Sequence, residues 1–336
     1  MRFLNFLNPY SYIMRARRAM HKPSVSVTIP IISVGNLTMG GTGKTPLTTA
    51  IAEHIQRMHG LKVAIILRGY SRTTKGQIVV LDHNAEEVGD EALAYKIALP
   101  NAIVIVDEDR FSGAERAMAL GVDVAILDDG YQHIRLFRDL NILLVDVEEG
   151  VGTVLPFGRG REDISAAGEA DVVIFTNVEN GEQAHKVSKK LAPFIRPDAL
   201  VAALHAVPAS LELLHTGVHS SREVLEGMRV LAVSSIARPA RFHRLIAECG
   251  AIVMTHVLPD HAEYSPHIVR RAIEQAERSR ADLIVTTTKD IVKAREYYLN
   301  EPSSVPIVIL HHSLEWIENE EPFFELIDSI VEKRNV

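Results

Sequence analysis

The stretch from Ser33 to Pro46, SVGNLTMGGTGKTP, constrains this chain more than any other. A β-branched apolar run (Val25, Val27, Ile29, Ile31, Ile32, Val34) precedes it, and a segment with helical patterning, LTTAIAEHIQRM, follows it. Strand, glycine-rich turn, Lys-Thr and helix, in that order, lay out a phosphate-binding loop. Gly40, Gly41 and Gly43 let consecutive backbone N–H groups turn inward around an anion, and the positive end of the following helix dipole points at the same spot. Lys44 is placed to reach the β- and γ-phosphates of a nucleotide, and Thr45 to offer its hydroxyl to Mg²⁺. Thr38 stands where the GxxxxGK[ST] pattern has its first glycine. The plainer reading is a glycine-rich turn that binds nothing.

The pattern around this loop alternates. Strand-like runs fall at 29–34, 62–67, 77–81, 102–106, 122–127, 141–146 and 171–176, with helix-like runs at 46–58, 88–98, 109–120 and 180–193. Continuous Val/Ile strands between helices indicate a parallel sheet covered on both faces. The fold class is therefore α/β, a P-loop NTPase-like, doubly wound, mainly parallel sheet. A second series at 229–233, 238–249, 251–257, 266–279, 282–287 and 305–311 predicts a smaller α/β lobe. Residues 199–225, irregular and rich in Ala, Ser and His, read as a linker. The expected domains are a segment at 1–22, a nucleotide-binding core at 23–198, the linker, and a C-terminal lobe at 226–336. A cleft between lobes is the natural place for a ligand.

Cys249 is the only cysteine in 336 residues, which excludes an intramolecular disulfide and cysteine-based metal clusters. A net charge of −7 weighs against a nucleic-acid partner. Yet no Asp or Glu precedes Glu53, while Arg2, Arg15, Arg17, Arg18, Lys22 and Lys44 all do. No apolar run approaches the ~20 residues that cross a bilayer. Asn8-Pro9 predicts the start of a helix ending near Lys22, with Pro23 stopping it. Tyr10, Ile13, Met14 and Arg17 share a stripe of that helix. Such a basic, aromatic segment either lies in a membrane interface or packs on the domain.

Further constellations carry chemistry. VAILDDGYQH (124–133) is a Walker-B-like strand end whose acids, Asp128 and Asp129, are candidates for Mg²⁺. Adjacent residues leaving a strand diverge, so both need not touch one metal. His133 follows them and is ambiguous. In VGDEALAY (88–95), Asp90 is either a helix N-cap or a carboxylate facing the γ-phosphate as general base. LRGYSR (67–72) puts Arg68 and Tyr70 at a strand end, and Arg110 and Arg161 add forked donors suited to phosphate. Asp260-His261 and TTTKD (286–290) both fall in the second series of elements.

In order, VGNLTMGGTGKTP, RGYSR, GDE, DDGYQH, LPFGRGRE (155–162), DH–Y (260–264) and TTTKD resemble the motifs of the tetraacyldisaccharide 4'-kinase family, over nearly the whole chain. The resemblance implies an ATP- and Mg²⁺-dependent kinase of lipid A synthesis, monotopic on the cytoplasmic face of a Gram-negative-type inner membrane. Its implied partners are a lipid disaccharide substrate and, through the N-terminal segment, the membrane surface. No nucleic acid or obligate protein partner is expected. It also implies that Thr38, Met39, Gly40, Gly41, Thr42, Gly43, Lys44 and Thr45 bind ATP. Asp90 is then the base, with His261 supporting it, and Thr45, Asp128 and Asp129 hold Mg²⁺. Arg68, Tyr70, Arg110, His133 and Arg161 resemble residues around the phosphates or the lipid headgroup. The chain departs from the family pattern at Ala262, at Thr288 and in LPFGRGRE. The competing reading is a switch ATPase of the partitioning or metallochaperone type. Such proteins share GGTGKT but carry a lysine early in the loop, where this chain has Met39.

Overall fold

A computed structural model describes residues 8–20, 23–150, 152–178 and 181–333. Residues 1–7 and 21–22 of the expected N-terminal segment lie outside the described residues. The chain forms two compact units, one running to His205 and resuming at Leu314, the other spanning Ala206–Ser313.

The first unit opens with helix α1 (Pro9–Met20) and strand β1 (Ile31–Asn36), followed by α2 (Lys44–His59), β2 (Val63–Leu67) and β3 (Ile78–Val79). Next come α3 (Ala85–Val88), α4 (Asp90–Ala98), β4 (Ile103–Val106), α5 (Arg110–Ala119), β5 (Val124–Asp128) and β6 (Leu140–Asp146). Strand β7 (Val172–Thr176) and helix α6 (Gly181–Leu191) lead into the long strand β8 (Leu200–Leu213). The sheet order is β8-β7-β6-β1-β5-β2-β4-β3, parallel except for the short edge strand β3. Strands β1, β2, β5, β6 and β7 are buried along their whole length, as expected of a sheet covered on both faces. Helix α2 buries Leu47, Ile51 and Ile55, spaced four apart on one stripe, against that sheet.

In the second unit, β9 (His219–Ser221) pairs antiparallel with β8. It is followed by β10 (Arg229–Ser234), α7 (Pro239–Glu248), β11 (Ile252–Val257), α8 (Pro266–Arg278), β12 (Leu283–Thr287) and α9 (Thr288–Asn300). The parallel order β11-β10-β12 is completed by the start of β13 (Ile307–Glu318). Apolar clusters centred on Ile284 and Val285 cover its two faces.

The structure departs from the sequence reading at the junctions. Residues 199–225 are not an irregular linker, because they hold β8, β9 and a short 3₁₀ turn. Ala, His and Pro208 dilute the apolar signal of β8, and after His205 its burial follows no period-two pattern. The C-terminal stretch also divides. From Leu314 the chain rejoins the first unit, ending in helix α10 (Glu320–Lys333). There Phe323, Ile327 and Val331 enter the same core cluster as Leu47 and Ile51, each contributing about 1.5–3 kcal/mol of apolar burial. The helix expected over 88–98 is split at Gly89, whose φ of 90° ends α3 and starts α4.

Candidate active site

The glycine-rich loop runs from the carboxyl end of β1 into α2. Asn36 Nδ2 donates to Thr42 Oγ1 at 2.9 Å, a buried bond that ties the loop's exit to its entry. Gly43, with φ 90°, caps α2 in the left-handed region, a conformation closed to most side chains. A Cβ at Gly41 would meet nothing within 4 Å, so the glycine leaves open space in front of the backbone. The turn at 155–162 forms the loop's rim. Met39 N donates to Arg159 O at 2.8 Å, Arg161 N donates to Leu37 O at 2.7 Å, and Thr38 pairs with Gly160.

Strand β5 lies beside β1 with Asp128 opposite Val34, which brings DDGYQH to the loop. The two acids diverge. Asp129 adopts φ 53° and its N–H donates to Asp128 Oδ1 at 3.0 Å. Its carboxylate accepts both oxygens' worth of contact from Arg161 Nη1, at 2.7 and 2.6 Å, and lies 3.5 Å from Lys44 Nζ. Burial pushes the Asp129 carboxyl up, but Lys44 and Arg161 outweigh it and hold it below the ordinary carboxylate range. Asp128 has the opposite environment. Burial, reinforced by the neighbouring Glu91 charge, pushes it up to about 7. A buried acid this hard to ionise, beside the Lys-Thr of a phosphate loop, suits a divalent cation that would take the place of its proton.

DDGYQH packs on β1 without room to spare. A Cβ on Gly35 would stand 2.7 Å from Tyr131 Cβ and 2.8 Å from Tyr131 N. Gly130 N donates to Val34 O, and Gln132 Nε2 donates to Asn36 O. Gly35→Ala is therefore expected to cost about 1–3 kcal/mol, read as a lower urea midpoint at unchanged slope. An unchanged midpoint would show that the two segments separate at no cost.

The basic candidates differ in setting. Arg68 and Tyr70 are exposed past the end of β2. Arg110, 2% exposed at the start of α5, is pushed down to about 10 by burial, against the pull of Asp128 and Asp129. His133 is pushed down to about 4 by burial and by Arg110, so the imidazole is neutral at pH 7. Arg17 of α1 and Arg68 act on it in the same direction. Asp90 is nearly buried as the first residue of α4, and its Oδ1 accepts from Glu91 N at 3.0 Å. The cap position itself belongs to Gly89, so the N-cap reading of Asp90 does not hold.

In the second unit, His261 has φ 57° and sits 3.5 Å from Lys289 Nζ and 3.9 Å from the Asp260 carboxylate. The acid of TTTKD is architectural. Asp290 is fully buried and accepts from Ser235 N (3.1 Å), Ser235 Oγ and Thr287 Oγ1 (2.7 Å). Lys293 donates to Ser235 Oγ and Ala262 O and lies over the Tyr264 ring. These contacts knit DH–Y to TTTKD.

Sequence reasoning missed several contributors. Asn36, Glu91 and Tyr95 stand inside the motifs without a role read from them; Asn36 braces Thr42, and Glu91 and Tyr95 act on Asp128. Helix α1 is fixed on one side: Asn8 Nδ2 donates to Leu155 O (2.6 Å), Arg15 pairs with Asp163 (2.6 Å), and Arg18 reaches Glu162, Glu169 and Tyr131 O. Its other side leaves Tyr12, Ile13 and Met20 exposed. The docked-helix reading is therefore correct without removing an apolar outer face. Among the described residues, no helix is long and apolar enough to cross a membrane.

Known proteins resemble this chain over most of its length. The family model described as tetraacyldisaccharide-1-P 4'-kinase matches residues 3–332. A tetraacyldisaccharide 4'-kinase of Pelobacter propionicus is 38% identical over 301 residues, covering 84% of this chain and 80% of that protein. One from Geobacter metallireducens is 35% identical over 299 residues, covering 85% and 86%. The crystal structure of LpxK from Aquifex aeolicus in complex with ATP aligns with a TM-score of 0.74 at 27% identity, covering 96% of each chain.

Proposed function

The chain belongs to the tetraacyldisaccharide 4'-kinase family, and we propose that it transfers the γ-phosphate of ATP to the 4'-hydroxyl of tetraacyldisaccharide 1-phosphate, giving lipid IV-A in lipid A biosynthesis. The observation that carries this reading is the Lys44–Asp129–Arg161 cluster at the mouth of a phosphate loop. It concentrates fixed positive charge where phosphoryl oxygens gather charge. Residues 38–45 hold the triphosphate through backbone N–H groups and Lys44. Thr45 and Asp128, with Asp129, fit a Mg²⁺ ion, whose chemistry when bound is to neutralise the phosphate oxygens.

In the transfer, the acceptor oxygen forms a bond to the γ-phosphorus, the bond to the β-bridging oxygen breaks, and ADP leaves. Asp90 takes the hydroxyl proton. Arg68, Tyr70, Arg110, neutral His133 and Arg161 contact the phosphates or the headgroup. The exposed Tyr12, Ile13 and Met20, beside the basic residues of α1, suit peripheral attachment to the cytoplasmic face of an inner membrane.

The test is an assay in detergent with a synthetic lipid disaccharide acceptor. Expected is ADP release that depends on acceptor and yields a phosphorylated lipid. Acceptor-independent hydrolysis alone would restore the switch-ATPase reading. Sedimentation with anionic vesicles checks the membrane half. It should weaken when Tyr12 and Ile13 become serine, and unchanged sedimentation would reject that role for α1.

A further inference from the structure

Far along α2 from Lys44, His54 and His59 meet Asp328 of α10. His54 Nε2 lies 2.7 Å and His59 Nε2 2.8 Å from the same oxygen, Asp328 Oδ1. The three donor atoms fall within 4.8 Å of one another. The side chains are largely shielded, at 12%, 18% and 32% exposure. The His54 ring is stacked on Phe324 with centroids 4.3 Å apart, which fixes its direction. None of these residues belongs to the phosphate-transfer machinery.

We propose that His54, His59 and Asp328 form a binding site for one divalent transition-metal ion of the zinc type, which staples α2 to α10. Two imidazoles and one carboxylate, with a fourth position open to water, are a recurrent zinc donor set. Imidazole also selects against Mg²⁺ and Ca²⁺, which take oxygen ligands. Burial pushes the Asp328 carboxyl up, but the hydrogen bonds from His59 and His54 outweigh it, so it is held below the ordinary range and is ready as an anionic ligand. The present N···O separations are those of hydrogen bonds. With bonds of roughly 2.0–2.1 Å, a tetrahedral site needs edges of roughly 3.3 Å, so each pair opens by about half an ångström. Coordination also requires each Nε2 proton to leave or to move to Nδ1. The ion joins residues about 270 apart in sequence, so its affinity adds directly to the stability of the first unit.

The experiment uses the full chain, stripped with chelator, titrated with ZnCl₂ by calorimetry and then measured for zinc by elemental analysis after gel filtration. Expected is one equivalent, and at zinc one hundred times Kd a folded-to-unfolded ratio about 100-fold higher in urea. The double variant His54→Gln/His59→Gln should bind at least about tenfold more weakly, as should the milder Asp328→Asn. His311→Gln removes the separate contact between His311 and Glu212 and should leave affinity unchanged. No retained zinc, zinc retained equally by the double variant and by Asp328→Asn, or zinc lost in His311→Gln would each overturn the proposal.

Discussion

Lys44→Ala is expected to lower kcat/KM for ATP about 10³-fold while the protein keeps its melting temperature within a few degrees. The rate loss follows from where the ammonium sits. Lys44 opens α2 at the mouth of the loop, 3.5 Å from Asp129 and 15% exposed, and in the proposed reaction it is the loop's own point charge for the β- and γ-phosphates. Removing a fixed charge or donor from a site of charge development costs about 10²–10³ in rate, and cationic groups on transferring phosphoryls reach about 10³–10⁵. Stability should survive because Asp129 retains both contacts from Arg161, so no buried carboxylate is stranded. Steady-state kinetics with a thermal melt separate the two effects. A variant that keeps kcat/KM would remove Lys44 from the transfer, and one that melts far lower would make it a structural residue.

Asp90→Asn is expected to divide differently. The turnover number should fall about 10²–10⁴-fold with ATP affinity within about twofold of wild type, because a proton acceptor acts only in the transition state. Asn is nearly isosteric, and its side-chain oxygen can still accept from Glu91 N, so α4 keeps its first turn. The measurement is ATP binding by calorimetry alongside turnover with lipid acceptor. Unchanged turnover would reject Asp90 as the base, and a large loss of ATP affinity would move it to nucleotide binding.

Much of this site was legible because its chemistry is local in sequence. The loop needs glycines, a lysine and a threonine within eight residues, and the Walker-B-like acids need only a strand behind them. The same locality explains the failures. Whether Asp90 caps α4 depends on the φ of Gly89, and no pattern of residue types reports that angle. The motif TTTKD gives no sign that the oxygens of Asp290 are taken up by Ser235, 55 residues earlier, and Thr287. The grip of Arg18 on Glu162, 144 residues away, is equally silent. Strand β8 escaped because alanines, a histidine and a proline gave it neither an unbroken apolar run nor clean alternation.

The return of the chain at Leu314 has a consequence in time. Helix α2, which carries the phosphate loop at its head, rests partly on Phe323, Ile327 and Val331. During synthesis at about 5–20 residues per second, the stretch from His205 to Lys333 takes roughly 6–25 s to emerge. Throughout that interval the loop's supporting core lacks its final wall. The whole of Ala206–Ser313 is thus in existence before the nucleotide-holding unit can finish folding, so the order of synthesis delays a mature ATP site until its companion unit has been made.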